Sequence, residues 1–262
     1  MVPVLASLSS TELLPLLAAG RAGLQLALLV GFIAVIQYHW PFEHAPVNQL
    51  RVLTVGSLVR ACLVPAVFIG FGLSTIHRHG IFSSEELNAD IQAHFSRFRT
   101  TVDNYFQFLP YLVLVALVLA GVKIRSDRLN VGWLVLKSEA IMLVIAFSLK
   151  YATNIDRPNG DYYAFPSGHT AQAFLAASLV HQELRHKSPW YGIGAYAIAI
   201  TVAVLRLLNF KHWEADVLAG AGIGILAAHL AYFFHRTATW PGSRRGGAVV
   251  PLPDVGLPGG PL

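Results

Sequence analysis

The sequence is short of charge. Asp, Glu, Lys and Arg make up 13% of its 262 residues, about half of the roughly 25% usual for a soluble domain. Low charge with 55% hydrophobic residues is the reverse of a disordered chain. It also leaves too little polar material to cover a water-soluble globule. Cysteine is nearly absent: Cys62 stands alone, which excludes an internal disulfide and, within an apolar run, reads as a small core or lipid-facing residue. Alternating segments of about ten residues, the mark of a membrane barrel, are missing too. A mean hydropathy of +0.54 then points to an integral membrane protein built of helices, because a lipid-exposed backbone must satisfy its own hydrogen bonds. The net charge of +5 and pI near 9.5 would suit nucleic acid or anionic lipid, but basic loops on one side of a membrane are the simpler source.

What is there is a series of apolar runs: 22–37, 61–76 (extending back toward Val52 across Arg60), 105–122, 131–149, 167–182, 190–208 and 214–235. Several approach the ~20 residues a bilayer-crossing helix needs. Residues 84–106 differ. Leu87, Ile91, Phe95, Phe98, Val102 and Phe106 recur at spacings of three and four, with charges on the other faces; this predicts an amphipathic helix in the membrane interface. The expected fold is all-α: a polytopic membrane helix bundle with about six core transmembrane helices plus that interfacial helix. Residues 1–51 read as an anchor or signal-like segment. Residues 52–235 form the membrane domain. Residues 236–262 make a disordered tail, since the last 22 residues hold six Gly and five Pro.

Three short blocks sit at the ends of apolar runs. Lys150 precedes Arg157-Pro158 in KYATNIDRP; FPSGH carries Pro166, Ser167, Gly168 and His169; and Arg206, His212 and Asp216 fall within RLLNFKHWEAD. Guanidinium forks bind phosphate oxygens two at a time, and Lys adds a point charge. Ser167-Gly168 lies where a helix should start, with N–H groups facing outward and room for close approach. His212 and Asp216 are four apart and share a helix face. The carboxylate can hold one ring nitrogen and leave the other as a nucleophile, while His169 is available as a general acid. Taken singly, each has a plainer reading: snorkelling helix ends, a turn, a surface pair. Taken together they converge, because alternation of the last four runs across the membrane brings all three blocks to one face.

The spacing Lys, six residues, Arg-Pro; Pro-Ser-Gly-His; Arg, five residues, His, three residues, Asp resembles the type-2 phosphatidic acid phosphatase family, which shares its site with the vanadium haloperoxidases. The resemblance spans about residues 52–235 and departs at one position, Leu205, where the family has Ser. It implies a membrane lipid phosphatase acting through a phosphohistidine. His212 would attack phosphorus, Asp216 would orient it, and His169 would protonate the leaving oxygen. Lys150, Arg157, Ser167, Gly168 and Arg206 would bind phosphate. No metal or other cofactor is implied, and the implied partners are a lipid phosphate and membrane lipids, with no nucleic acid and no obligate protein partner. A soluble haloperoxidase is disfavoured by the apolar runs. An inactive transporter or scaffold is disfavoured by the presence of both histidines.

The motifs read the phosphate and not the tail: undecaprenyl diphosphate, phosphatidic acid, phosphatidylglycerol phosphate and lipid A phosphates all qualify. The stretches SPWYGIGAY and HWEADVLAGAGIGIL most resemble bacterial envelope phosphatases, some acting on lipid A. Lys123, Arg125, Arg128, Arg185, Lys187, Arg236, Arg244 and Arg245 fall on the face opposite the three blocks, which predicts an inner-membrane protein with its site facing outward. Two further features are set aside: GAGIG at 220–224 lacks the preceding strand of a nucleotide loop and is read as close helix packing through Gly220 and Gly224. Lys137 and Glu139 lie inside a run, with Lys137 expected to snorkel away from the site end. His77, His79 and His94 are read as interfacial loop residues.

Overall fold

The computed structural model describes residues 55–74 and 83–235. The anchor-like start, the tail, and His77 and His79 lie outside these residues. Eight helices are described: α1 Val55–Ser74, α2 Ser84–Phe95, α3 Asp103–Phe106, α4 Leu109–Leu119, α5 Arg128–Thr153, α6 Gly168–Leu184, α7 Pro189–Leu208 and α8 Glu214–Phe233. No strand occurs among the described residues. By length and composition, α5, α7 and α8 can each cross a bilayer. The all-α membrane bundle expected from the sequence is the fold observed.

The centre of the bundle is α6 with α8. α6 packs on α4, α5, α7 and α8, and α8 also packs on α1 and α5. Every residue of α6 from Thr170 to Leu184 is buried, so this helix meets protein and not lipid on all sides. Small residues make that possible. A Cβ on Gly220 would sit 2.5 Å from the Ser167 carbonyl oxygen, and one on Gly222 would sit 2.8 Å from that of Pro65. The GAGIG stretch is therefore a contact surface, with Gly220 and Gly224 against α6 and Gly222 against α1.

The interfacial helix is shorter than its periodicity predicts. α2 ends at Phe95, and Asp103 opens the four-residue α3. Ser83 caps α2 by accepting from the Glu86 N–H. The helix ends eight residues before Asp103, which is buried, 1% exposed, and starts the next helix. His94 lies within α2, not in a loop, and its Nδ1 is 2.8 Å from the Asp90 carbonyl.

Exposed aromatic rings form two bands. Tyr105, Phe108, Tyr151 and Tyr162 cluster around one end, and Trp133 and Trp190 lie toward the other. Such belts mark the two membrane–water levels. Inside the bundle, Glu139 Oε1 accepts from the Tyr111 hydroxyl at 2.7 Å and from the Gln172 amide, so that oxygen is hydrogen-bonded by two neutral donors. Lys137 Nζ turns toward His235 Nδ1, 3.4 Å away at the far end of α8, in the direction expected.

Candidate phosphate-binding site

All three motif blocks meet at the end ringed by Tyr105, Phe108, Tyr151 and Tyr162. Chain alternation does this: α5 ends there, α6 starts there, and the α7–α8 turn lies there. The three non-glycine residues with positive φ among the described residues, Asn154, Tyr163 and Phe210, all fall in these site-end loops. For Tyr and Phe this is a costly backbone state, held only where surroundings impose it.

His212 sits in the α7–α8 turn and is 2% exposed. Its Nδ1 is 3.3 Å from Asp216 Oδ2. The same oxygen accepts from the Trp213 backbone N–H at 2.8 Å, capping α8. With Nδ1 donating to the carboxylate, the lone pair is left on Nε2. Burial first, and then the charges of Arg206, Arg157, Lys150 and His169, hold the His212 imidazole well below its ordinary pKa. The neutral form of the ring is favoured.

Ser167 is the N-cap of α6. Its side chain accepts from the Thr170 N–H at 3.4 Å and lies 2.9 Å from the Thr170 hydroxyl. Its own N–H donates to the Asp216 carbonyl at 2.9 Å, joining the starts of α6 and α8. Gly168 and His169 form the first helical turn, where backbone N–H groups lack partners within the helix and favour an anion.

The cations surround this turn. Lys150 Nζ donates to the carbonyls of Pro166 at 2.7 Å and Tyr163 at 2.9 Å, tying the end of α5 to the FPSGH loop. Arg157 is braced by Asp161: its N–H donates to the Asp161 carbonyl at 2.7 Å, and Nη1 lies 3.9 Å from Oδ2. Lys211 shares that carboxylate at 3.4 Å. Burial, then the charge of Arg206, lowers the Arg157 pKa from its usual value, so two cations have been brought together. Arg206 is 5% exposed, and its Nη1 donates to Asp103 Oδ2 at 2.7 Å. The Nε atoms of both Arg157 and Arg206 are buried with no hydrogen-bond partner. Such donors cost about 1–3 kcal/mol each when left unmet, and a tetrahedral oxyanion would satisfy them.

Every site residue expected from the sequence lies at this end. The sequence did not flag Asp103, Asn104 and Asn209. Asn209 Nδ2 donates to Asp103 Oδ1 at 3.2 Å, and Asn104 Oδ1 lies 3.0 Å from His169 Nε2. Asp103 and Asn104 look like polar-face residues of an amphipathic helix, and only Asn209, three after Arg206 on the same helix face, carried a hint. Leu205, where the resemblance expects Ser, contributes its carbonyl to the Asn209 N–H, while Arg206 takes its side-chain support from Asp103.

A membrane-embedded helix bundle with an anion site beside a His–Asp pair is the class that fold and geometry define. Residues 144–240 match the sequence model of the PAP2 superfamily. It is 36% identical over 142 residues to a lipid A 1-phosphatase of Porphyromonas gingivalis, covering 52% of this chain and 31% of that protein. The chain thus spans about a third of that relative's length. Among solved structures, Aquifex aeolicus LpxE is similar with a TM-score of 0.45 and 21% identity, over 60% of this chain and 98% of that one. A transmembrane PAP2-type phosphatidylglycerolphosphate phosphatase from Bacillus subtilis is similar with a TM-score of 0.44 and 20% identity, over 64% and 94%.

Proposed function

We propose that the protein is a membrane lipid phosphate phosphatase that needs no metal. The observation that carries this reading is the pair of buried, unpartnered guanidinium Nε atoms beside a neutral His212 held by Asp216. Lys150, Arg157, Arg206 and the Ser167–Gly168 turn hold the phosphoryl oxygens. His212 Nε2 attacks phosphorus as the bond from phosphorus to the lipid oxygen breaks. His169 gives its proton to that leaving oxygen. Water, deprotonated by the same His169, then cleaves the phosphohistidine, releasing phosphate and restoring the histidines.

The aromatic ring around the site keeps the phosphate at the water level while the tail stays in lipid. Among the candidate substrates, the 36% identity to a lipid A 1-phosphatase favours a lipid A phosphate, ahead of undecaprenyl diphosphate, phosphatidic acid and phosphatidylglycerol phosphate. Lys123, Arg125, Arg128, Arg185 and Lys187 lie at the end opposite the site, which favours an inner membrane location with the site facing outward. The test is phosphate release from a panel of these lipids in detergent with chelator present. Turnover by the wild type and none by His212→Ala is expected; equal release by both would refute the mechanism.

A further inference from the structure

We infer that the segment Thr100–Asn104, outside every motif block, is a positioning element of the site, in which Asp103 orients Arg206 and Asn104 orients His169. The inference rests on the phosphatase reading above and adds two residues to it.

The segment is latched first. The Thr100 N–H donates to Asn209 Oδ1 at 2.9 Å, and Asn209 Nδ2 returns to the Thr100 carbonyl at 2.9 Å. This reciprocal amide pair fixes the chain just before α3 against the end of α7. Asp103 then enters the protein at 1% exposure. A carboxylate that deep must be paired and hydrogen-bonded on both oxygens. Oδ2 takes Arg206 Nη1 and Oδ1 takes Asn209 Nδ2. The guanidinium is planar and rigid, so anchoring Nη1 sets the direction of the whole fork. The Nε edge is left buried and unmet, presented to an incoming anion without a rotamer search.

The next residue does the same for the acid. Asn104 Oδ1 lies 3.0 Å from His169 Nε2. A carboxamide oxygen only accepts, so Nε2–H donates to it, the ring is held in place, and Nδ1 is left to carry the proton that is passed on. Asn104 is itself steadied, its carbonyl accepting from Gln107 Nε2 at 2.8 Å. One short turn therefore aligns the anion clamp and the proton donor together.

The test uses the full chain in detergent with two substrates: the best lipid phosphate, whose alkoxide leaving group needs a proton, and p-nitrophenyl phosphate, whose leaving group does not. Asn104→Ala should lower kcat on the lipid about 10- to 100-fold, KM nearly unchanged, and leave the rate constant of the pre-steady-state p-nitrophenol burst, which needs no proton from His169, within about threefold. Asp103→Asn keeps the shape and removes the charge. It should raise the inhibition constant for vanadate and the KM on both substrates by about tenfold or more. An equal loss in the lipid rate and in the p-nitrophenol burst for Asn104→Ala, or unchanged vanadate inhibition in folded Asp103→Asn, overturns the inference. Wild type that releases phosphate from neither substrate overturns the phosphatase reading instead.

Discussion

Gly220 of α8 faces the carbonyl of Ser167 so closely that an added Cβ would stand 2.5 Å from that oxygen and 3.2 Å from Thr170 Cβ. Neither neighbour can yield: one is backbone, and the other sits at the capped start of α6. Gly220→Ala must therefore push α6 away from α8 at the anion-binding turn. The expected result is a loss of about 1–3 kcal/mol in stability, the cost of overpacking, with a still larger fractional loss of turnover. Gly194→Ala, where nothing lies within 4 Å, is the control, and thermal unfolding in detergent compares them.

The lowered pKa of His212 sets the acid limb of activity. A histidine with an ordinary pKa near 6.5 would be half protonated there and lose its nucleophile. Because burial and the neighbouring cations disfavour the charged ring, the neutral form persists to lower pH. In the proposed mechanism the acid limb of the kcat/KM profile should therefore lie well below pH 6.5. Arg157→Gln removes one of those cations, so the limb should move upward. A limb that moves downward in that variant would contradict the electrostatic account.

Arg157→Lys tests geometry at constant charge. A lysine keeps the cation but loses Nε, the buried donor without a partner. Its point charge cannot present a fork. We expect vanadate inhibition to weaken by about tenfold or more, as for the loss of one charge-assisted hydrogen bond worth about 1.5–3 kcal/mol, measured as an inhibition constant.

Far from the site, Glu183 is 1% exposed and accepts from the Ser126 N–H at 2.7 Å, the Ser126 hydroxyl at 2.8 Å and the Tyr232 hydroxyl. Glu183→Ala strands three donors and should cost about 1–3 kcal/mol for each that stays unmet. The protein that remains folded should keep near-normal KM and kcat. This pairs a stability defect with intact chemistry, read by thermal unfolding and phosphate release on the same sample.

Orientation has its own test. A reporter fused after Arg245 should give a cytoplasmic signal, as the bases at the end opposite the site require. A strong outside signal would reverse the topology proposed for the site.

Much of this site was legible in the sequence because its motif residues sit at fixed spacings beside apolar runs, and alternation across a membrane brings helix ends to one level. His212 and Asp216 are four apart and do meet, but through the turn that precedes α8 and not on a shared helix face, since α8 starts at Glu214 with Trp213 as its cap. What stayed hidden is long-range. Asp103 and Arg206 are 103 residues apart, and no local pattern separates a buried aspartate from a solvated one on an amphipathic stretch. The same blindness stretched the interfacial helix to residue 106, since apolar spacing of three and four continues through a segment in which the helix stops at Phe95 and a new one starts at Asp103. The small-residue contacts of α8 were readable as glycine spacing, but which helix each glycine meets needed the packed bundle.

The hydrogen bond from the Ser167 N–H to the Asp216 carbonyl has one more consequence. It welds the anion-binding turn to the support of the nucleophile, so the two halves of the chemistry travel as one rigid unit. On the proposed phosphatase reading, a change in the lipid-facing surface around the mouth would leave that unit intact.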